Sequence, residues 1–238
     1  GQELMIGATT TQQAIDAALR NPTMLSAAAA LAENRLHDAE PLLKARLRKN
    51  PFDVVAMRML AELAGRIGRY PDAENLLRRA VELAPDFLTA KSNLAMVLHK
   101  QARSGEAIAI LDEIALADPD SMANANLRAA ALGRIGEYDE ALEIYAAVLE
   151  QRSDHPKIWM SYGHMLKTVG RQQDCIAAYR RALALQPGLG EVWWSLANLK
   201  TVRFDESDVE AMTAALGGPA LSDEDRFHLH FALGKALD

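Results

Sequence analysis

A proline recurs at a spacing of 34 residues along this chain, and no other feature of the sequence restricts the fold as strongly. Pro51, Pro85 and Pro119 follow one another at that interval, and Pro187 lies two further intervals along. A fixed period of this length indicates a repeat architecture, in which each unit buries apolar surface on its neighbours. Small residues keep the same period, at Ala39, Ala73, Ala107, Ala141 and Cys175.

Each 34-residue unit predicts two short helices with a tight turn between them. Ala and Leu dominate the apolar half of the composition while β-branched residues are sparse, which favours helix. Gly68, Gly136 and Gly170 share the period, with Ala102 filling the gap, and mark the end of a first helix because glycine adopts left-handed backbone at little cost. Proline then ends the second helix, which it cannot continue. The predicted fold class is all-α.

The side chains within each unit follow a pattern typical of one repeat family. An aromatic residue, a large residue next to a small one, and an apolar residue mark the first helix, while a small residue and an aromatic or Leu mark the second. The best unit has Trp159, Tyr162, Gly163, Leu166, Cys175, Tyr179, Ala182 and Pro187 at these positions. This pattern resembles the tetratricopeptide repeat over about residues 20–200. The resemblance implies a right-handed α-solenoid of antiparallel helix pairs that binds a protein or peptide segment and is not itself an enzyme.

The quality of the pattern divides the chain into three parts. Residues 1–19 form an N-terminal segment, and residues 20–204 hold about five repeats plus the first helix of a sixth. Residues 205–238 predict a divergent helical extension, with Asp205 and Ser222 as N-cap residues. The last helix of this extension looks like another first helix, whereas a solenoid normally ends in a polar cap. We therefore expect the array to be unfinished at its C-terminal end.

The C-terminal part carries a narrower resemblance. Residues 193–200 and 222–236 are similar to bacterial proteins in which tetratricopeptide repeats precede a sulfotransferase domain. This resemblance implies that the chain is the substrate-recruiting region of an enzyme that uses a phosphosulfate nucleotide (PAPS) as donor. It assigns no catalytic residue, because the strand and phosphate loop of such a domain are not in this sequence. A third alternative is a scaffold that associates with itself through the last helix.

Motifs and charge argue against several other functions. No GxGxxG or GxxxxGK[ST] loop occurs, so no cofactor is expected. His228 and His230 are two residues apart on a predicted helix and cannot share a metal ion. The net charge of -6 disfavours nucleic acid as a partner, and no apolar run is long enough to span a membrane. The lone cysteine, Cys175, fits a reducing compartment, and we expect the protein to be cytoplasmic.

Ligand contacts are expected on the first helices of the units. The resemblance implies that side chains at four positions of each first helix face a ligand, and here they form a mixed polar surface with exposed Met and Trp. A cation also recurs just before the turn, where it either complements the helix dipole or attracts an acidic partner. The predicted groove residues are Arg58, Glu62, Ser92, Met96, His99, Asn126, Lys157, Met160, His164, Lys167, Trp194 and Asn198, and the predicted basic edge is Arg66, Lys100 and Arg134.

Overall fold

The computed structural model describes the backbone of residues 2–238 and the side chains of residues 11–238. Within that range the chain forms fourteen helices and no strand, which confirms the all-α class. In chain order the helices are α1 (Gln2–Arg20), α2 (Pro22–Ala32), α3 (Leu36–Lys49), α4 (Val54–Arg66), α5 (Tyr70–Leu83), α6 (Leu88–Lys100), α7 (Ser104–Ala117), α8 (Met122–Arg134), α9 (Tyr138–Gln151), α10 (Pro156–Thr168), α11 (Gln172–Leu185), α12 (Gly190–Ala197), α13 (Glu206–Leu216) and α14 (Asp223–Leu237).

Two compact units make up the chain, one ending at Ile135 and the other beginning at Gly136. In the first unit α2 pairs with α3, α4 with α5 and α6 with α7, and α8 packs on α7. In the second unit α10 pairs with α11, and α9 packs on α10. Three residues separate the helices of each pair, so the partners run antiparallel. The helix pairs expected from the 34-residue period are therefore present in both units.

The turn that follows each first helix has a left-handed residue at the same position of the repeat. Gly68, Gly136 and Gly170 have φ between 78° and 88°, as predicted, and Asn34 and Ala102 adopt the same conformation at φ 56° and 61°. The next residue donates its N–H to the carbonyl five positions back, at 2.7 to 2.9 Å in four of these turns. This bond satisfies a carbonyl at the end of the first helix and stabilises the turn. The same turn therefore forms where Asn34 or Ala102 replaces glycine.

An ion pair holds the start of most second helices. An arginine occupies the residue just before the helix and binds an acidic side chain three residues further on, with nitrogen–oxygen distances from 2.5 to 3.5 Å. The carboxylate lies in the first turn, where the helix dipole favours negative charge. The four arginines are Arg35, Arg69, Arg103 and Arg171.

Small residues let the paired helices approach closely. In the second unit the buried ring of Tyr179 on α11 fills the space over Gly163 on α10, where a Cβ would lie 2.5 Å from the ring. Cys175, at the recurring small position, is fully buried. Cys175, Tyr179 and the buried Trp193 belong to one hydrophobic core.

The C-terminal extension begins as the sequence predicts. Asp205 caps α13 by accepting the N–H of Asp208 at 2.9 Å, and the Asp208 carboxylate accepts the N–H of Asp205 in return. Ser222 caps α14 by accepting the N–H of Asp225 at 3.1 Å. Both predicted N-caps are therefore confirmed, and the first residues of α13 and α14 are set by nearby side chains.

The packing of the last helices departs from the repeat. α12 packs on α14 and not on α13, the helix that follows it. At one end the N–H of Gly190 donates to the Asp225 carboxylate at 3.1 Å, and at the other Lys235 Nζ approaches the Ala197 carbonyl at 3.5 Å. The two helices consequently run in the same direction. A Cβ on Gly190 would lie 2.3 Å from the carbonyl oxygen of Asp225, so this approach depends on glycine.

The first helix lies outside the repeat pattern. α1 packs on α2 and α4 of the first unit, and the hydroxyl of Thr11 donates to the carboxylate of Asp86, just before α6. Ala14 and Ala18 contact the apolar cores beneath. The second half of α1 is therefore part of the packed first unit.

Candidate functional site

A cavity of ≈ 290 Å³ opens on the first unit between α4 and α6. Its apolar walls include Ala61, Leu77 and Val97, and Met96 lines it with 42% of its surface exposed. A side chain added at Gly65, which also lines the cavity, would meet open space. Two predicted groove residues and two predicted basic-edge residues share this cavity. The remaining lining residues are Glu62, Arg66, Tyr70, Asn93 and Lys100.

Three charged side chains run along α4 beside the cavity. The carboxylate of Glu62 lies between the guanidinium groups of Arg58, at 3.7 Å, and Arg66, at 2.9 Å. Arg58 also donates to the amide oxygen of Asn93 at 3.3 Å, which links α4 to α6. The spacing of four residues keeps all three charges on one face of the helix. One carboxylate between two cations leaves this face with net positive charge.

The members of the predicted basic edge differ in what they contact. Arg66 donates to the carbonyl of Leu31 at 2.6 Å, so it joins the end of α2 to α4 as well as lining the cavity. Lys100 and Arg134 are exposed. Burial lowers the pKa of His99, and the charges of Arg134 and Lys100 lower it further.

Two predicted groove residues of the first unit are turned inward. His99 is only 9% exposed and its Nδ1 lies 3.0 Å from the hydroxyl of Ser104, so its ring belongs to the core, which corrects the prediction that it faces a ligand. Asn126 on α8 is half-buried, and its amide oxygen is buried with no hydrogen-bond partner among the described residues. Ser92 on α6 is half-buried.

In the second unit a hydrogen-bonded chain centres on His164. Its Nδ1 lies 2.6 Å from the hydroxyl of Tyr179, and its Nε2 lies 3.2 Å from the carboxylate of Glu191. Burial lowers the pKa of His164, while Glu191 acts in the opposite direction. Burial also raises the pKa of the Tyr179 hydroxyl above its usual value. The histidine therefore links α10 to α11 and α12, a role that sequence reasoning missed.

The other predicted residues of α10 are the exposed Lys157 and Lys167 and the half-buried Met160.

Two predicted groove residues, Trp194 on α12 and Asn198 just after it, contact α14. The ring centre of Trp194 lies 5.4 Å from that of His228 and 6.3 Å from that of Phe231. The amide oxygen of Asn198 lies 3.4 Å from Lys235 Nζ. α14 thus contacts part of the surface that the repeat register assigns to a ligand, while Asn198 itself stays exposed. Trp194 keeps 38% of its surface exposed.

Among the residues whose side chains are described, no three or more His, Cys, Asp or Glu side chains are grouped so as to hold a metal ion. None of the described helices combines the length and apolar character that crossing a membrane requires.

Two family models define the class to which the chain belongs. Both are described as tetratricopeptide repeat, and they match residues 66–131 and 126–190. Together the matches span residues 66–190, which is more than half of the 238 residues. The chain belongs to the tetratricopeptide repeat family and is an all-α repeat scaffold of that class.

Individual relatives and solved structures are similar to this chain over part of its length. Protein FlbA of Caulobacter vibrioides is 25% identical over 203 residues, which cover 84% of this chain and 33% of FlbA. The chain spans about a third of the length of the curated relatives it matches. MamA of Desulfovibrio magneticus RS-1 has a TM-score of 0.61 at 16% identity, covering 67% of this chain and 90% of MamA. YrrB, described as a TPR protein with an unusual peptide-binding site, has a TM-score of 0.55 at 19% identity, covering 68% of this chain and 83% of YrrB. At these identities the solved structures show a shared fold.

Proposed function

We propose that this chain binds a peptide segment on its first unit, at the cavity between α4 and α6. The observation that carries the proposal is the combination of apolar walls with a cationic rim in one cavity. An aliphatic side chain of the partner fits the walls, and burial of a Leu-sized group contributes about 1.5–3 kcal/mol. An acidic residue next to that anchor lies close to Arg66 and Lys100.

The charge around the cavity favours an acidic partner. One carboxylate, Glu62, faces the cations of Arg58, Arg66 and Lys100, although the chain as a whole carries a net charge of -6. A local positive surface on an acidic protein accelerates encounter with an acidic segment and repels a basic one. Added salt weakens that attraction, because exposed charges are screened.

The first experiment fills the cavity. Fluorescein-labelled peptides with a central Leu between acidic residues serve as probes, beside matched peptides with Ser for Leu or Lys for the acids. Gly65→Leu places a side chain in the open space at the cavity, and we expect affinity for the acidic Leu peptides to fall about tenfold to a hundredfold by fluorescence anisotropy. The helix itself gains stability, because Leu is the better helix former.

Gly105→Leu is the matched control. Gly105 lies on α7, lines no part of this cavity and also faces open space, so the same substitution there leaves binding unchanged. Native affinity in Gly65→Leu, or equal binding of the acidic and basic peptides, would contradict the proposal.

A charge variant tests the acidic preference separately. Lys100→Glu combined with Arg134→Glu is expected to weaken binding of the acidic peptide and to make its affinity depend less on salt concentration. Arg66 stays unchanged because it also binds the carbonyl of Leu31. Lys49→Glu, an exposed cation at the end of α3, is the control. If the acidic peptide bound the charge variant and the control equally well, steering by the basic edge would be excluded.

The sulfotransferase alternative and the cytoplasmic location rest on the sequence alone. The family and structural matches are to tetratricopeptide repeats and give no support to a sulfotransferase. Reading the gene downstream of Asp238 for a strand, a phosphate loop and a helix tests that alternative. A cytoplasmic location also stays a prediction, and fractionation of cells that produce the protein tests it.

A further inference from the structure

An exposed aromatic stripe runs along α14. Glu224, Phe227, Phe231 and Lys235 stand at i, i+3, i+7 and i+11, a spacing that places them on one face of the helix. Phe227 is 67% exposed and Phe231 is 40% exposed. Apolar rings exposed together on adjacent turns mark an interaction surface more often than isolated exposed residues do.

The helix that carries the stripe is firmly seated. Leu229 and Ala232 are fully buried against the core of the second unit. At its N-terminal end, Asp225 accepts the N–H of Gly190. Trp194 of α12 extends the apolar surface, with its ring centre 6.3 Å from that of Phe231. The buried face of α14 thus anchors the helix to the core, while the stripe on its other face stays exposed to solvent.

The two ends of the stripe carry opposite charge. Asp223 and Glu224 are exposed in the first turn of α14. Lys235 lies in the last turn, with its Nζ 5.6 Å from the ring centre of Phe231. The depression that Lys235 lines also contains Arg203 and one carboxylate, Asp238, so two cations face one acid at this end. A surface with an acidic end, an apolar centre and a basic end is complementary to itself when rotated by a two-fold axis.

We propose that this stripe is the contact of a homodimer, in which α14 of one copy packs antiparallel on α14 of a second copy. A two-fold axis midway between residues 229 and 230 brings Glu224 level with Lys235 of the other copy and Phe231 level with His228 of the other copy. Two Glu–Lys pairs then flank a centre of four phenylalanines. A uniformly acidic or basic partner would match one end of the stripe and repel the other.

The interface is small, so the dimer is weak. Each phenylalanine side chain carries roughly 150–250 Å² of surface, and interfaces below about 1,200 Å² in total are characteristic of transient complexes. Association is therefore expected in the micromolar range and depends on protein concentration.

Sedimentation velocity of the whole chain, across a series from low to high micromolar concentration, tests the proposal. The native chain is expected to shift from monomer to dimer, and Phe227→Ala with Phe231→Ala to stay monomeric throughout. Phe52→Ala removes an equally exposed phenylalanine, 64% exposed, from the first unit and is expected to dimerise like the native chain. A native chain that is monomeric at every concentration, or a double phenylalanine variant that dimerises normally, overturns the proposal.

Charge reversal tests the antiparallel arrangement. Glu224→Lys and Lys235→Glu each place like charges opposite one another, and each is expected to weaken dimerisation about tenfold. The two substitutions combined restore both pairs with inverted sign, so the double variant is expected to recover native association. A double variant no better than the single ones overturns the arrangement, and a thermal melt of each variant establishes that it is folded.

Discussion

Replacing Gly190 by alanine should separate two helices that depend on close backbone contact. The added Cβ would lie 2.3 Å from the carbonyl oxygen of Asp225 and 2.8 Å from its Cα. Backbone atoms cannot rotate out of the way as a side chain can, so α14 must move off α12. The displacement also breaks the hydrogen bond from the Gly190 N–H to the Asp225 carboxylate, now 3.1 Å long.

The expected loss follows from three contributions. Overpacking of a buried contact costs about 1–3 kcal/mol, with backbone clashes at the upper end. The broken hydrogen bond adds about 1 kcal/mol. Alanine returns at most about 1 kcal/mol through its better helix propensity, and less at the first residue of a helix. The net loss is about 2–3 kcal/mol, or roughly 5–10 °C in the melting of a chain of this size.

Circular dichroism melting measures the loss, and hydrogen exchange locates it in α14. Gly234→Ala is the matched control, because Gly234 lies on α14 and a Cβ there meets open space. That variant is expected to gain up to about 1 kcal/mol from helix propensity. An unchanged melting temperature in Gly190→Ala, or equal losses in the two variants, would show that the close approach of α12 and α14 is not needed for stability.

The remaining predictions concern charge. Burial lowers the pKa of His164 in the folded chain, so the folded state favours the neutral imidazole. The stability that the neutral imidazole contributes is therefore complete above about pH 6.5, and it is lost as pH falls toward the lowered pKa. Glu191→Gln removes the group that opposes the shift, so denaturant melts at a series of pH values should show a steeper loss below pH 6.5, and an unchanged slope would contradict this. Asp208→Asn breaks the pairing with Arg180 at 2.5 and 3.1 Å, which should cost about 1–3 kcal/mol in the same melts at neutral pH. Asp174→Asn, at an exposed ion pair, should cost less than about 1 kcal/mol, and equal losses would contradict the argument.

The local features of the repeat were predictable from sequence. Proline, the left-handed turn residue and side-chain N-caps such as Asp205 and Ser222 act within a few residues, so a fixed period locates the helix ends. The burial of Cys175 could also be predicted, because its position repeats in every unit. Features of this kind depend on the chain's own neighbours in sequence and not on how distant helices meet.

Contacts between the side chains and backbone of different helices could not be predicted in this way. His99 was expected to face a ligand, but its ring is buried and contacts the hydroxyl of Ser104 at the start of the next helix. Arg66 was read as a simple edge cation, yet it binds a carbonyl 35 residues earlier. The parallel packing of α12 and α14 rests on Gly190, whose role emerges only when a backbone from another helix is placed beside it.

The left-handed turn marks the units more faithfully than any side chain does. Proline is missing from one unit and glycine from two, yet residues 34, 68, 102, 136 and 170 share one backbone conformation. An alanine in that conformation stores about 1 kcal/mol of strain, which the surrounding contacts of Ala102 must absorb. A unit can therefore lack glycine at the turn, or the closing proline, and still form the same turn, because the packing of its helices holds the backbone in that conformation.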